Sequence, residues 1–406
     1  MNQLKITLFA FAATAAFAPV LTAADSPAAK TTVAVAAQPN AKKVEDRSFE
    51  NDFAGKKATL VYFVEGRENP VVFKEIRGKN VVFTDQTGSE LVAERGSNTF
   101  KFSWKEDTAS WRKAQSEAAR GDVELALEHM RPIVYPMLPL AAMDEGAFDA
   151  NEYIEPFVSL LLQNGKLKEA AAVAKSIPVE LAQAPIINTE MEIAKALAEN
   201  GDLVNAMAIV ERVDLRSAGQ FAASDSVLDV MGILRRAGKV KELLPLYAKL
   251  GGVEANPQAS WFKLWSIYCD VAIGNRMSAD VYLGSIKIAR DSEAFSLAQM
   301  IKGDLKATDP KAPKLGEALD IYAEGIVFGK ISSEWMPELL YKAGMTYKKL
   351  KKFVASNEIF AQMNALYPQD SFTAKGLKEI VKVEKKVVRE VSHDDDEDED
   401  EDEDYE

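Results

Sequence analysis

Few side chains in this chain are of the kind that perform acid, base or nucleophilic chemistry. The sequence holds two histidines, His129 inside a predicted helix and His393 beside an acidic run, and one cysteine, Cys269. It lacks the Cys-x-x-Cys, His-Glu-x-x-His, Gly-x-x-x-x-Gly-Lys and Gly-x-Gly-x-x-Gly patterns that hold metals, phosphates or dinucleotides. A single cysteine forms no internal disulfide, and the apolar run LWSIYCDVA around it indicates an interior thiol. We therefore predict a protein that is not an enzyme, with no catalytic residues, cofactor or metal site.

One group of carboxylates leaves open the hypothesis that the protein is a hydrolase. The run MDEGAFDANEY contains Asp144, Glu145, Asp149 and Glu152. Two carboxylates at the right separation can act as general acid and base. Acidic residues are also typical of turns and of the first turn of a helix, and this interpretation explains the run better.

Three aromatic residues share one face of a predicted helix. Trp261, Trp265 and Tyr268 recur at helical spacing in SWFKLWSIYC, with Phe262 beside them. Such a face more often forms core between packed helices than a ligand platform. If any aromatic cluster of this chain binds a peptide, these are the partner-binding residues that the sequence indicates.

A helix-turn-helix elbow recurs along the chain and must position these residues. It consists of a glycine, one residue, a large apolar residue, two further residues and a small residue. The copies are Gly121-Val123-Ala126, Gly165-Leu167-Ala170, Gly201-Leu203-Ala206, Gly238-Val240-Leu243 and, more loosely, Gly274-Arg276-Ala279. A weaker copy at Leu315-Ala318 lacks the glycine, and one at Phe353-Ser356 replaces it with Lys351. A period of roughly 36 residues predicts stacked helical hairpins, with a left-handed residue at each exit and a small residue where the helices cross.

The last copy carries a family resemblance. The segment LLYKAGMTYKKLKKFVASNEIFAQMNALYP resembles a tetratricopeptide repeat in its large, Gly, Tyr, aromatic, small, Phe and Pro positions. These positions are Leu340, Gly344, Tyr347, Phe353, Ser356, Phe360 and Pro368. Earlier copies keep the hairpin and the period but lose the aromatic and proline positions, so a related helical-hairpin solenoid stays open for Thr108 to Leu305. The resemblance implies a concave surface that binds a protein or peptide.

A different pattern precedes the helices, over residues 51–105. Five runs rich in Val, Phe and Tyr read ATLVYFVEG, VVFKEIRG, KNVVFTDQTG, SELVAERG and NTFKFSW. They are separated by Glu-Asn-Pro, Gly-Lys-Asn, Thr-Gly-Ser and Gly-Ser-Asn, which favours strands joined by tight turns. The runs resemble a small half-open β-barrel of the Src-homology-three kind, which would be either a recognition module or an N-terminal cap.

The N-terminus has the pattern of a cleaved secretory signal over residues 1–24. Lys5 precedes an apolar stretch from about Ile6 to Ala18, and small residues follow it. An uncleaved membrane anchor is the alternative. Residues 25–50 mix Ala, Pro, Thr and Lys without periodicity and predict a flexible leader. No later segment has 18 consecutive apolar residues, so we predict no membrane span after removal of the signal.

The C-terminus ends in a dense negative run over residues 391–406. The net charge of the chain is -13, and twelve acidic residues lie between Asp394 and Glu406. The folded body is therefore near neutral, which argues against a nucleic-acid partner. We predict a disordered tail after a cationic capping helix at Lys375 to Arg389 that closes a solenoid over residues 108–390. The tail would be a solvated spacer, or it would fold back, attract a basic partner or collect divalent cations.

The predicted fold is mostly α, a tetratricopeptide-like helical-hairpin solenoid preceded by a small all-β module. The predicted function is that of an exported, non-enzymatic adaptor or scaffold that binds a protein or peptide. It would lie in the periplasm or cell envelope of a Gram-negative-type bacterium, or be secreted. The alternatives are a structural subunit of an envelope complex and a hydrolase in the β module or the Asp144 region.

Overall fold

The protein is mostly helical, with a small antiparallel sheet before the first helix. The computed structural model describes residues 59–64, 67–78, 80–94, 102–104, 108–142, 149–286 and 288–382. The predicted signal peptide, leader and acidic tail lie outside the described residues, as do His393, Asp144 and Glu145.

Five strands of the described part of the chain form the sheet, in the order β4-β3-β2-β1-β5. The strands are β1 (Thr59–Val64), β2 (Arg67–Arg77), β3 (Asn80–Thr84), β4 (Glu90–Glu94) and β5 (Phe102–Trp104). All neighbouring strands are antiparallel. Val81, Val82 and Phe83 are consecutive and all buried, so β3 is covered on both of its faces. The predicted strands are confirmed where the structure describes them, as are the turns at Gly78 and Gly88, and both glycines have positive φ. The predicted turn at Gly96, Ser97 and Asn98 lies outside the described residues.

One predicted turn of the sheet is wrong. The residues Glu68, Asn69 and Pro70 do not separate two strands but lie within β2, where Pro70 pairs with Val61 of β1. Pairing of β2 with β3 begins only at Val72, so in the described residues Pro70 has a neighbouring strand on one side alone. Proline lacks a backbone N–H, and a position of this kind tolerates it.

Fifteen helices follow in the described residues, and fourteen of them form seven consecutive pairs. They are α1 (Thr108–Arg120), α2 (Val123–Met137), α3 (Asn151–Gln163), α4 (Leu167–Ser176), α5 (Ala184–Glu199), α6 (Leu203–Arg212), α7 (Ser224–Arg236), α8 (Val240–Gly251), α9 (Ala259–Ile273), α10 (Arg276–Ser285), α11 (Ala294–Ala307), α12 (Leu315–Phe328), α13 (Met336–Lys349), α14 (Phe353–Leu366) and α15 (Ser371–Lys378). The predicted helical hairpins are thus confirmed.

The elbows have the left-handed exit that the sequence predicts. The glycines at positions 121, 165, 201, 238 and 274 have φ between 66° and 96°, and Lys351 has φ 59° in the last hairpin. At Gly201 the amide donates to the carbonyl of Ala198, and the amide of Asp202 donates to the carbonyl of Leu197. The same two hydrogen bonds recur at the other five elbows. They satisfy carbonyls that the end of a helix would leave unpaired.

The last residue of each elbow motif, which is small in every copy except Leu243, lies in the interior. These residues are fully or almost fully buried: Ala126, Ala170, Ala206, Leu243, Ala279, Ala318 and Ser356. In the last hairpin the Ser356 hydroxyl donates to the carbonyl of Gly344 at 2.9 Å. A Cβ at Gly344 would lie 2.5 Å from the ring of Phe360, so glycine lets this ring pack directly on the backbone.

The terminal helix differs from its prediction. It spans Ser371–Lys378 instead of Lys375 to Arg389, and Asp370 caps it by accepting a hydrogen bond from the amide of Phe372. Val381 is not helical, because Asn357 of α14 accepts from its amide and donates to its carbonyl. Residues 383–389 lie outside the described residues.

Candidate functional site

A cleft of about 370 Å³ lies between α7, α9 and the residues just before α13. The side chains that line it are aromatic, acidic or small and polar. They are Asp225, Leu228, Asp229, Gln258, Trp261, Trp265, Glu293, Ser332, Ser333, Glu334 and Trp335. Its volume is at the lower end of the range for ligand pockets. The cleft is therefore a candidate binding site, beside a larger cleft of about 450 Å³ that is lined mainly by apolar residues near α10 and α11.

Three tryptophans form the apolar wall of this cleft, which we call the tryptophan cleft. Trp335 contacts Trp261 with ring centroids 5.5 Å apart and Trp265 with centroids 5.9 Å apart. The indole N–H of Trp335 donates to the Ser296 hydroxyl of α11 at 2.9 Å, which fixes the ring. Trp265 and Trp335 are buried, whereas Trp261 is only partly buried. The wall is thus held rigidly and has one ring within reach of a ligand.

Acidic side chains form the other side of the tryptophan cleft. Glu334 accepts hydrogen bonds from Arg235 and Arg236, each at 2.9 Å. Asp225 accepts from the side-chain amide of Gln258 at 2.8 Å. Asp229 lies one helical turn after Asp225 on α7, and both are exposed. No lysine or arginine is among the described residues that line the cleft.

A buried ion network lies next to the cleft and joins helices that are distant in sequence. Arg235 of α7 approaches Glu338 of α13, with 3.5 Å between the guanidinium nitrogen and the carboxylate oxygen. Lys342 of α13 pairs with Glu338 at 2.8 Å and also with Asp304 of α11. The hydroxyl of Tyr268 donates to Glu338 at 2.6 Å. Five charged and phenolic groups from four helices are thus linked in the interior, although the Nε of Arg235 has no hydrogen-bond partner among the described residues.

The charges of this network shift one another's pKa values. Burial by itself would raise the pKa of Glu338, but Lys342 and Arg235 beside it hold the value below its ordinary range. Burial would lower the pKa of Arg235, yet the phenolic and carboxylate groups around it raise the value. Both groups therefore stay ionised at neutral pH, and the network fixes α13 against α7.

The structure brings together two of the three aromatic residues that the sequence indicates. Trp261 and Trp265 line the tryptophan cleft. Tyr268 does not, because it faces the ion network and its ring packs edge-on against Trp265 with centroids 5.4 Å apart. Sequence reasoning missed Trp335 and Ser333, which precede α13. The run SSEWMP carries both, but no repeat position marks it, and only the approach of α13 to α7 places it here.

Two other side chains, of types that can act as acid, base or nucleophile, have structural surroundings. His129 lies in α2, with its Nδ1 2.8 Å from Glu117 and its Nε2 3.2 Å from Lys113. Cys269 is buried in α9, and burial raises the pKa of its thiol to about 12, so the thiolate is scarce at neutral pH.

The described carboxylates of the Asp144 region serve the helix start. Asp149 accepts a hydrogen bond from the amide of Asn151 at 2.9 Å. Glu152 lies in the first turn of α3, as the helix-start interpretation predicts.

Neither a metal centre nor a membrane-spanning helix is present within the part of the chain that the structure describes. No three His, Cys, Asp or Glu side chains there are placed to hold a metal ion together. None of the helices described has the length and apolar character needed to cross a bilayer.

The fold defines a mostly helical protein built from consecutive helical hairpins. No protein-family model matches this chain, and no curated protein matches it either.

Proposed function

We propose that this protein is an exported, non-enzymatic adaptor that holds a protein or peptide partner on its helical-hairpin surface, with the tryptophan cleft as the binding site. The observation that carries the proposal is the rigid tryptophan wall beside acidic groups in an open cleft of about 370 Å³. Tryptophan is enriched where proteins bind partners, since it contributes a large apolar area at a low cost in conformational entropy.

The helical hairpins belong, in this proposal, to a tetratricopeptide-like solenoid. Support comes from the left-handed exits of the elbows and from the contact of Ser356 with Gly344 in the last hairpin. The periplasm or cell envelope is the proposed location, on the grounds of the apolar N-terminal stretch and the small residues after it. The sheet would serve as a cap or as a second recognition module.

Site-specific photo-crosslinking in the native cells tests the proposal. A photoreactive residue at Gln258, on the edge of the cleft, should give adducts with another protein, and Trp261→Ala should abolish them. The matched control places the same photoreactive residue at position 204, because Val204 is exposed on α6 and lies outside the cleft. Cross-linking of another protein with the same yield at both positions would contradict the proposal. It would also be contradicted if the residue at position 258 cross-linked only to other parts of this same chain.

A structural subunit of an envelope complex is the second candidate. It is favoured by exposed apolar side chains on α10, where Met277 and Val281 are 86% and 71% exposed, and by Ile273 at the end of α9, which is 40% exposed. Burial of such a face would stabilise an assembly. Replacing Met277 and Val281 by Ser should then reduce the sedimentation coefficient of the native complex. An unchanged coefficient would remove this candidate.

A further inference from the structure

The negative charge of the tryptophan cleft is only partly compensated by the protein. Four carboxylates line it, and two of these have cationic partners: Glu334 pairs with Arg235 and Arg236, and Glu293 pairs with Lys330. Among the ion pairs of the described residues, none includes Asp225 or Asp229. Their negative charge is therefore available to a ligand.

The protein already binds one guanidinium group beside the cleft. The guanidinium of Arg235 lies 3.7 Å from the ring centroid of Trp265 and also donates to Glu334. The side chain of Arg235 is 2% exposed, whereas that of its carboxylate partner Glu334 is 32% exposed. Trp265 thus has one face occupied, whereas the partly buried ring of Trp261 lies against the open space of the cleft with Asp225 and Asp229 on the facing helix. An indole ring and two carboxylates thus line the cleft together, and no lysine or arginine is among its described lining residues.

One residue that lines the cleft, Ser333, also has a buried hydroxyl without a hydrogen-bond partner among the described residues. Ser333 lines the cleft and is 4% exposed, and its hydroxyl oxygen is unpaired there. Its backbone is held by hydrogen bonds between its amide and Lys330 and between its carbonyl and Met336. Buried polar atoms in folded proteins are almost always paired, and at a cleft the missing partner is a water molecule or a group of the ligand that displaces it. An N–H donor would satisfy the hydroxyl oxygen.

We propose that the tryptophan cleft binds the guanidinium group of an arginine side chain in the partner peptide. The guanidinium stacks on Trp261 and pairs with Asp225 and Asp229, and one of its N–H groups is available to Ser333. This inference rests on the proposed function, and it specifies the chemistry of the partner.

Arginine suits the site better than lysine for a geometric reason. A guanidinium is planar, stacks on an indole ring and has several N–H donors in one plane. A lysine ammonium is a compact, strongly hydrated charge that would leave one of these contacts unmade. A divalent cation suits it less, because no group of three metal-ligating side chains converges among the described residues.

Binding of short blocked peptides to the full chain tests the proposal. The probe is acetyl-Gly-Arg-Gly-amide, followed by tryptophan fluorescence and by calorimetry at low salt. We expect saturable binding, with affinity at least about tenfold lower for the citrulline peptide, which has the same shape without the charge. The lysine peptide should bind with intermediate affinity. Equal affinity for the arginine and citrulline peptides would overturn the proposal, as would the absence of any saturable binding.

Variants of the two aspartates locate the binding. The double variant Asp225→Asn, Asp229→Asn should lower the affinity for the arginine peptide about tenfold. The matched control, Asp280→Asn with Asp320→Asn, removes two exposed charges outside the cleft and should leave the affinity unchanged. An equal loss in both double variants would mean that net charge and not the cleft attracts the peptide, which would overturn the proposal.

The failure of this inference can be told apart from the failure of the proposed function. If Gln258 cross-links to a partner but the arginine peptide does not bind, the arginine proposal is wrong and the adaptor function stands. If the arginine peptide binds but Gln258 captures no partner above the Val204 control, the cleft chemistry stands and the adaptor function is wrong.

Discussion

Arg235 and Glu338 lie 3.5 Å apart in the interior although they belong to the fourth and the seventh helical hairpin. In a regular solenoid each repeat contacts only its neighbours. Here α13 reaches α7 directly, and a Cβ at Gly232 of α7 would come within 2.8 Å of Glu334. This contact between non-neighbouring hairpins creates the tryptophan cleft, because it brings Ser333 and Trp335 to Trp261.

Loss of Arg235 should destabilise the protein strongly. Arg235→Met removes the cation that pairs with Glu334 and the buried Glu338, and we expect the free energy of unfolding to fall by about 3 to 5 kcal/mol. The control is Arg236→Met, which removes a partly exposed partner of the same Glu334 and should cost less than about 1 kcal/mol. Urea denaturation of both variants measures the difference. Similar midpoints would show that the network does not hold α13 to α7.

The elbows should respond to substitution with opposite signs. Gly201→Val places a β-branched residue at φ 85° and should lower the free energy of unfolding by about 1 to 3 kcal/mol. Lys351→Gly removes a side chain from φ 59° and should raise it by about 0.5 to 1 kcal/mol.

The control for the elbow substitutions is Lys349→Gly, two positions earlier at the last residue of α13. There glycine should instead be destabilising, by up to about 1 kcal/mol. Thermal denaturation compares the three variants, and a destabilised Lys351→Gly would contradict the account of the elbow.

The close crossing in the last hairpin predicts a specific effect of one methyl group. Gly344→Ala places a Cβ against the ring of Phe360 and should lower the free energy of unfolding by about 1 to 3 kcal/mol. Gly316→Ala in α12 is the matched control, because a methyl group added there would meet no atom within 4 Å. It should be neutral or stabilising by up to about 1 kcal/mol. If both alanine variants changed the denaturation midpoint equally, contact with Phe360 would not be the cause of the lower stability of Gly344→Ala.

Glu190 should make stability depend on pH. It is fully buried in α5 with both carboxylate oxygens unpaired among the described residues, and this burial raises its pKa well above the ordinary value, despite the opposing charge of Arg212. The folded protein therefore keeps the proton at pH values where the unfolded chain releases it. The contribution of Glu190 to the free energy of unfolding is fully present below its pKa in the unfolded chain. It is lost as pH rises through its pKa in the folded protein.

Glu190→Gln removes this dependence. The variant should gain stability relative to the wild type as pH rises from about 4 to about 7.5, because only the wild type must bury a group that the unfolded chain ionises in this range. Glu199→Gln, at an exposed position of the same helix, should give a nearly constant difference. Chemical denaturation across that pH range makes the comparison. A constant difference for Glu190→Gln would show that the carboxyl group is not held protonated.

Local features of the fold could be predicted from the sequence, and the cleft could not. Gly201 and Lys351 mark elbows because the left-handed exit depends on a few adjacent residues. The role of Trp335 depends on a contact between α7 and α13, and no repeat pattern encodes a contact that skips hairpins. Pro70 misled the prediction for a related reason, since whether a strand tolerates proline depends on which side has a neighbour.

The most direct test of the account is a ¹⁹F spectrum of the protein labelled with 5-fluorotryptophan. The chain has five tryptophans, and single Trp→Phe variants assign their resonances. Addition of acetyl-Gly-Arg-Gly-amide should shift the resonances of Trp261 and Trp335 saturably and leave Trp111, which packs on Tyr153 in the first two hairpins, unchanged. An unmoved Trp261, or a shift of Trp111 as large as that of Trp261, would contradict the claim that the tryptophan cleft is the binding site.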